Sequence, residues 1–364
     1  MTDHTITDRQ MQCVVTLFLL GSLILVAYNK ELNQDSWASF LIAAVIILPI
    51  ICVYSRIVYL YPGQNIFEVL TKIFGNIAGK ILSFLMVLYS IYLGALIFKN
   101  FSQAIRILNL PDMPEILIFT FLLLASSFSV ANGPENIGRL SKYIQPIFVV
   151  SIFATVIIGF KDMNFNNIKP ILNTDFKIML NESFTLCAVS FGEIVVCLPL
   201  FASVSSLTNP LKTFLKGIGV ATAIFIIVSL RNILILGTPS EDMFYFPSYE
   251  ALSVLSVGDF LTRMEALISA NLVMAGFIKI CVCLYMASLG LTKILNFPNQ
   301  KTAIIPCGLI MITLAGLLYS NTLQMIDFVQ FYRYYAIPFQ IILPLVILIG
   351  AEIQTRKKTS SAAT

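Results

Sequence analysis

Glu193 is a carboxylate set between Phe191 and Ile194 in an apolar run, and Lys279 is an ammonium near the middle of another. Ionised groups in such runs are costly in a membrane unless they face a cavity, a partner or each other. Three chemistries are open to Glu193: protonation, cation binding, or a salt bridge to Lys279 or Arg231. Lys279 could equally stand in for a coupling cation or simply neutralise Glu193. It shares a helical face with Leu272 and Gly276, and that face is expected to point inward. Arg231 and Asp327 lie closer to the ends of their apolar runs, where snorkelling to the membrane edge is expected.

Small residues accompany these charges. Gly21-Ser22 and Gly192 each sit eight or nine residues into an apolar run, where glycine weakens a helix and allows close backbone approach. An interrupted helix exposes N–H groups on one side and carbonyls on the other, and lipid satisfies neither. A zwitterion satisfies both. Its carboxylate would sit near Gly21 and Ser22, and its ammonium would meet carbonyls around Ser190, Phe191 and Gly192. Plain helix packing through small residues is the competing reading for the Gly-Ser pair. Tyr89 and Tyr92 are three apart, so their hydroxyls could line the same cavity, although that spacing also serves ordinary packing.

The elements that must position these groups follow from composition. Of 364 residues 58% are apolar and only 12% charged, with mean hydropathy +0.88, which places the chain in a bilayer rather than in water. A single histidine excludes a histidine-rich zinc centre and a Ser-His-Asp triad, and no enzymatic activity or cofactor is expected. A scattered net charge of +4 does not suit nucleic acid. Cutting the sequence at charges and Pro/Gly clusters predicts ten transmembrane helices, near 13–28, 38–60, 81–105, 115–131, 143–160, 183–206, 213–237, 264–290, 302–320 and 331–351.

These form one all-α transmembrane domain over 1–364. A first repeat covers about 10–160, a polar connector 161–182, and a second repeat about 183–351, followed by a basic tail at 352–364. Five spans per half invert the second half relative to the first. Each half opens with a weakened helix, and each carries an amphipathic segment after its second span: Phe67, Leu70, Phe74 and Ile77 in one, Leu252 and Leu255 in the other. Inverted repeats with discontinuous first helices, here spans 1 and 6, mark secondary transporters that bind a small solute near the midplane. The N-terminus, even-numbered loops and C-terminus hold thirteen Lys/Arg against eight in the odd loops, which predicts cytoplasmic termini.

Other features carry less. The seven cysteines read as small buried hydrophobes, and the lone Trp37 as an interfacial anchor. Gly75 to Lys80 is one residue short of a phosphate loop, and the glycosylation triplet at Asn181-Glu182-Ser183 is of a kind that chance often supplies. Without a ring of charges or a pore helix, a passive ion channel is the weakest reading.

In order along the chain come Gln34-Asp35-Ser36-Trp37, Tyr61-Pro62-Gly63, Phe67-Glu68, Gly133, Glu135, Ile137, Arg139, Phe191-Gly192-Glu193-Ile194, Arg263 and Glu265. With this order and length the sequence resembles the B subunits of spore germination receptors, a spore-permease branch of the amino acid-polyamine-organocation superfamily. The resemblance implies a LeuT-like fold in the inner membrane of a dormant spore, with an A subunit and a lipoprotein C subunit as partners. It also implies a nutrient pocket, for an amino acid or similar molecule, between the first, third, sixth and eighth spans. Whether members move their ligand is not implied, so a proton-coupled permease stands beside the sensor. The first span reads Gly21-Ser22-Leu23, without the second glycine common in permeases of the superfamily.

Overall fold

The computed structural model describes residues 5–22, 30–108, 112–205, 209–237, 247–253, 265–319 and 322–362. Among them the regular elements are helical, and one isolated parallel bridge joins Ile6 to Val204. Leu255, Arg263 and the outer half of the predicted first span lie outside the described residues.

The first half comprises α1 (Asp8–Leu20), α2 (Ser36–Ile46), α3 (Leu48–Leu60), α4 (Ile66–Leu108), α5 (Glu115–Ala131) and α6 (Pro134–Gly159). The second comprises α7 (Phe176–Leu186), the short α8 (Leu198–Phe201), α9 (Pro210–Leu236), α10 (Pro247–Ser253), α11 (Glu265–Leu295), α12 (Lys301–Leu318), α13 (Thr322–Ile337) and α14 (Leu343–Ala362). Eight helical stretches among the described residues are long and apolar enough to cross a bilayer, and α5 is a shorter apolar helix.

Burial separates the axis of the bundle from its rim. In the most apolar stretch of Phe176–Phe201, 94% of residues are buried, against 22% for Pro134–Asp162, so the sixth span is wrapped by protein while the fifth faces lipid with Val150 and Ile157. A helix that is apolar all round belongs inside. α1 follows the same rule, with Val14, Val15, Leu17, Phe18, Leu19 and Leu20 all buried. It starts in a capping box in which Thr7 Oγ1 accepts from the Gln10 N–H and Gln10 Oε1 accepts from the Thr7 N–H.

The amphipathic segment before the third span is present, with a corner that the spacing did not reveal. At Gly75, φ is 79° and ψ −179°, a conformation open only to glycine, and there α4 turns from Ile66–Phe74 into the membrane. Phe67 and Leu70 pack inward before the corner, whereas Ile77 beyond it is exposed. In the second half α10 buries Leu252.

The connector is pinned rather than loose. Asp35, fully buried, accepts from the backbone N–H groups of Leu172, Asn173 and Thr174 at 2.7, 2.8 and 2.9 Å, and from the Thr174 hydroxyl at 2.9 Å. Gln34 Nε2 donates to the Pro170 carbonyl at 2.9 Å. Trp37 packs beside Leu32, Ala38 and Met179 as a half-buried part of this joint. Six cysteines are buried as expected, but Cys52 is exposed on α3.

Candidate functional site

α1 ends at Leu20, and Gly21 and Ser22 form the turn that follows, so the helix stops where the small residues of the predicted first span stand. The sixth span is interrupted differently. After α7 the chain widens into a π-helix over Cys187–Phe191, tightens into a 3₁₀-helix over Gly192–Cys197, and resumes as α8 at Pro199's turn. Its dihedrals stay helical, with Gly192 at φ −69° and ψ −26°. The break is thus a change of hydrogen-bond register, a type of irregularity frequent at functional sites.

Register change leaves carbonyls to be satisfied from outside, and three spans do so. Ala188 O accepts from Gln340 Nε2 at 2.7 Å and Val189 O from Ser22 Oγ at 3.5 Å, while Gly192 O lies 3.4 Å from the Tyr54 hydroxyl as the weaker of that group's two acceptors. The outward-turned carbonyls are therefore those of 188, 189 and 192, with Gly192 alone shared with the sequence expectation. Ser190 keeps a buried hydroxyl with no partner among the described residues, and Phe191 packs edge-on against Phe225.

Glu193 and Lys279 meet at this break. Lys279 Nζ donates to Glu193 Oε2 at 2.5 Å and to Ser22 Oγ at 2.5 Å, and it lies 5.1 Å from the centre of the Phe18 ring. Each of the two charged residues is only 2% exposed. Gly21 makes the approach possible: a Cβ there would stand 2.9 Å from Lys279 Cδ and 3.2 Å from the Ala275 carbonyl oxygen. Of the alternatives open to Glu193, the salt bridge to Lys279 is the one formed.

From Glu193 the network runs on into the tenth span. Tyr332 donates to Glu193 Oε1 at 3.0 Å, the Tyr332 and Tyr89 hydroxyls lie 3.0 Å apart, and Gln340 Nε2 donates to Tyr89 at 2.8 Å. Gln340 sits in a second π-helix, Pro338–Ile342, whose Gln340 carbonyl accepts from Tyr54 at 2.6 Å. One α3 hydroxyl thus bridges the irregular segments of the sixth and tenth spans. A side chain at Gly192 would collide with the Gln340 amide.

Of the residues singled out in the sequence, Gly21, Ser22, Tyr89, Ser190, Phe191, Gly192, Glu193 and Lys279 gather around the two interruptions. Tyr92 does not join the network. Its ring packs against Phe328 and Tyr335, one turn away from the stack of Tyr89 on Phe339. Tyr54, Tyr332 and Gln340 were missed. Tyrosine in an apolar helix reads as packing, but a glutamine two residues after Pro338 in an otherwise apolar run was a usable signal.

Arg231 corrects a second expectation. It does not snorkel: it is 1% exposed, with Nε and Nη2 donating to Asn232 Oδ1 at 3.2 and 2.7 Å and Nη1 to Thr155 Oγ1 at 2.8 Å. Nearness to a span's end lets a long side chain reach water only if it faces outward. The side chains of Asp327 and Glu265 lie outside the described part of the structure.

Comparison with known proteins agrees with this architecture. The chain is similar to spore germination protein KB of Bacillus subtilis strain 168, 24% identical over 99% of this chain and 98% of that one. It is also similar to the putative spore germination protein YfkT of the same organism, 24% identical over 87% of each. Among solved structures, MHP1, a nucleobase-cation-symport-1 transporter in a closed conformation with bromovinylhydantoin bound, superposes with a TM-score of 0.65 at 14% identity, covering 94% of this chain and 78% of that one. The Eremococcus coleocola manganese transporter gives 0.64 at 12% identity, over 93% and 78%. The fold is that of LeuT-like secondary transporters. The profile of the spore permease family, described as spore germination protein, matches residues 5–324, and the chain belongs to that family.

Proposed function

We propose that this chain is the nutrient-sensing subunit of a spore germination receptor, binding an amino acid or a similarly small nutrient at the interruptions of spans 1 and 6. The observation that carries the reading is the buried Lys279–Glu193 pair set between Ser22 and the π-to-3₁₀ junction. A zwitterion brings the same two charges in one molecule. Its carboxylate would replace Glu193 on Lys279 beside Gly21 and Ser22, and its ammonium would replace Lys279 on Glu193 beside the carbonyls of 188–192. Each group left by the opened pair is then satisfied again, which a buried charge requires.

The response is a shift between two packings, one with the internal pair closed and one with the nutrient inserted, with the ligand favouring the second by a few kcal/mol. Tyr332 and Gln340 link that choice to the tenth span, whose continuation is tied to α3 and its end through Glu352–Arg56 and Gln354–Tyr61, and to α4 through Gln354 Nε2 donating to the Lys72 carbonyl. The reading places the chain in the spore's inner membrane, with both termini on the core side. An A subunit and a lipoprotein C subunit receive the shift, and no bond in the ligand is broken. Relatives named as germination proteins, and a structural neighbour that holds a small heterocycle, support it.

A proton-coupled amino acid permease is the second reading, favoured by the same buried pair of titratable groups. Uptake by the purified chain in proteoliposomes separates the two: accumulation driven by a pH gradient selects the permease, and binding without uptake selects the sensor. For the site itself, Gly192→Leu should abolish the germination response while the protein remains in the membrane. A fully responsive Gly192→Leu spore would remove this site from consideration.

A further inference from the structure

At the membrane face where α1 and α9 both begin, a crevice of about 410 Å³ opens between their first turns. Its charged lining is Arg9, Lys212 and Lys216 against a single carboxylate, Asp8. None of the three cations forms an ion pair among the described residues, and all three are exposed. Asp8 is not spent on them either: its Oδ1 is buried with no hydrogen-bond partner among the described residues. One turn deeper the two helices close on each other. A Cβ on Gly217 would lie 2.7 Å from Val15, and Thr16 Oγ1 donates to the Gly217 carbonyl at 3.3 Å, so the crevice has a solid floor.

Two helix starts add their positive ends to three unpaired cations, a field suited to a phosphate. The free Asp8 oxygen calls for a hydroxyl donor on the same molecule. We propose that this crevice binds a phosphoester that carries neighbouring hydroxyls, the chemistry shared by a phosphatidylglycerol headgroup and by soluble glycerol phosphate. The phosphate lies on Arg9, Lys212 and Lys216, and a hydroxyl donates to Asp8. Because α1 runs into the Gly21-Ser22 turn, such a ligand grips the helix that leads to Lys279.

The test uses the full-length chain, delipidated in neutral detergent, with binding of short-chain phosphatidylglycerol, phosphatidylmethanol and phosphatidylcholine followed by native mass spectrometry. Phosphatidylglycerol should bind roughly tenfold or more tightly than phosphatidylcholine, the scale expected when lysines near the surface meet an anionic headgroup. The exposed pair Lys212→Ala/Lys216→Ala should erase that preference, while Lys301→Ala, elsewhere on the chain, keeps it. Asp8→Ala should erase the preference of phosphatidylglycerol over phosphatidylmethanol, which has the charge without the hydroxyls. Displacement by glycerol 3-phosphate assigns the site to a soluble phosphoester, and lipid binding that resists it assigns the site to the bilayer. Equal binding of phosphatidylglycerol and phosphatidylcholine, or a preference unchanged in the double variant, overturns the proposal.

Discussion

Among the described residues Lys99, Arg231 and Lys279 are buried cations, and the protein treats the last two in opposite ways. Lys279 meets a carboxylate at 2.5 Å, at the point where two helices lose their regularity. Arg231, inside the unbroken helix α9, has only the neutral oxygens of Asn232 and Thr155 among the described residues. Desolvation penalises both, and guanidinium is the more weakly hydrated ion, better suited to burial on neutral acceptors. The compact ammonium needs a full countercharge. That countercharge makes Lys279 exchangeable, since any ligand offering a carboxylate competes for it, whereas Arg231 is held by groups that no small solute displaces as a unit.

The comparison is broken or sharpened most strongly at the ion pair. Lys279→Met should leave Glu193 buried without its partner and cost about 3–5 kcal/mol in the denaturation midpoint of the purified chain. Combining it with Glu193→Gln should recover most of that loss. A midpoint unchanged by Lys279→Met would mean that the pair is not closed in the membrane. Next comes Tyr332→Phe, which removes one donor from the carboxylate, for about 1.5–3 kcal/mol by the same measurement. Arg231→Met removes a charge that has no carboxylate partner among the described residues, and should stay within about 1 kcal/mol of the parent. A loss as large as that of Lys279→Met would reveal an anionic partner and collapse the contrast. Smallest is Lys293→Ala: its pair with Glu68 at 2.6 Å has both side chains more than two-fifths exposed, so about 0.5 kcal/mol is expected, fading with added salt.

Charge and glycine were legible because the bilayer makes them conspicuous. Glu193, Lys279, Gly21 and Gly192 interrupt apolar runs, and each stands where a spanning helix loses its register or receives a charge. Most hydroxyls and amides were not, since Tyr54, Tyr332 and Gln340 look like filling until the tenth span is folded against the third and sixth. Tyr92 shows the converse, a residue whose spacing matched Tyr89 but whose ring turned to aromatic neighbours. Asp35 could be marked as part of a family pattern, yet its four acceptor bonds to 172–174 depend on a contact across more than a hundred residues that no local pattern encodes. Arg231 was misplaced because distance along a helix was taken for distance to water, while direction around the axis decides it.

The bridge at Ile6 ties the chain before the first span and the chain after the sixth into a single lever. Its N–H donates to Ser203 O at 2.8 Å and its carbonyl accepts from the Ser205 N–H at 3.0 Å, with the side chain sealed against Gly138. Tilting the foot of the first span must therefore drag the stretch that leaves the sixth, so a spectroscopic label on either one reports the movement of both. An affinity tag fused at the amino end pulls on that same foot, which makes the opposite terminus the safer handle for anyone who wants to follow this movement.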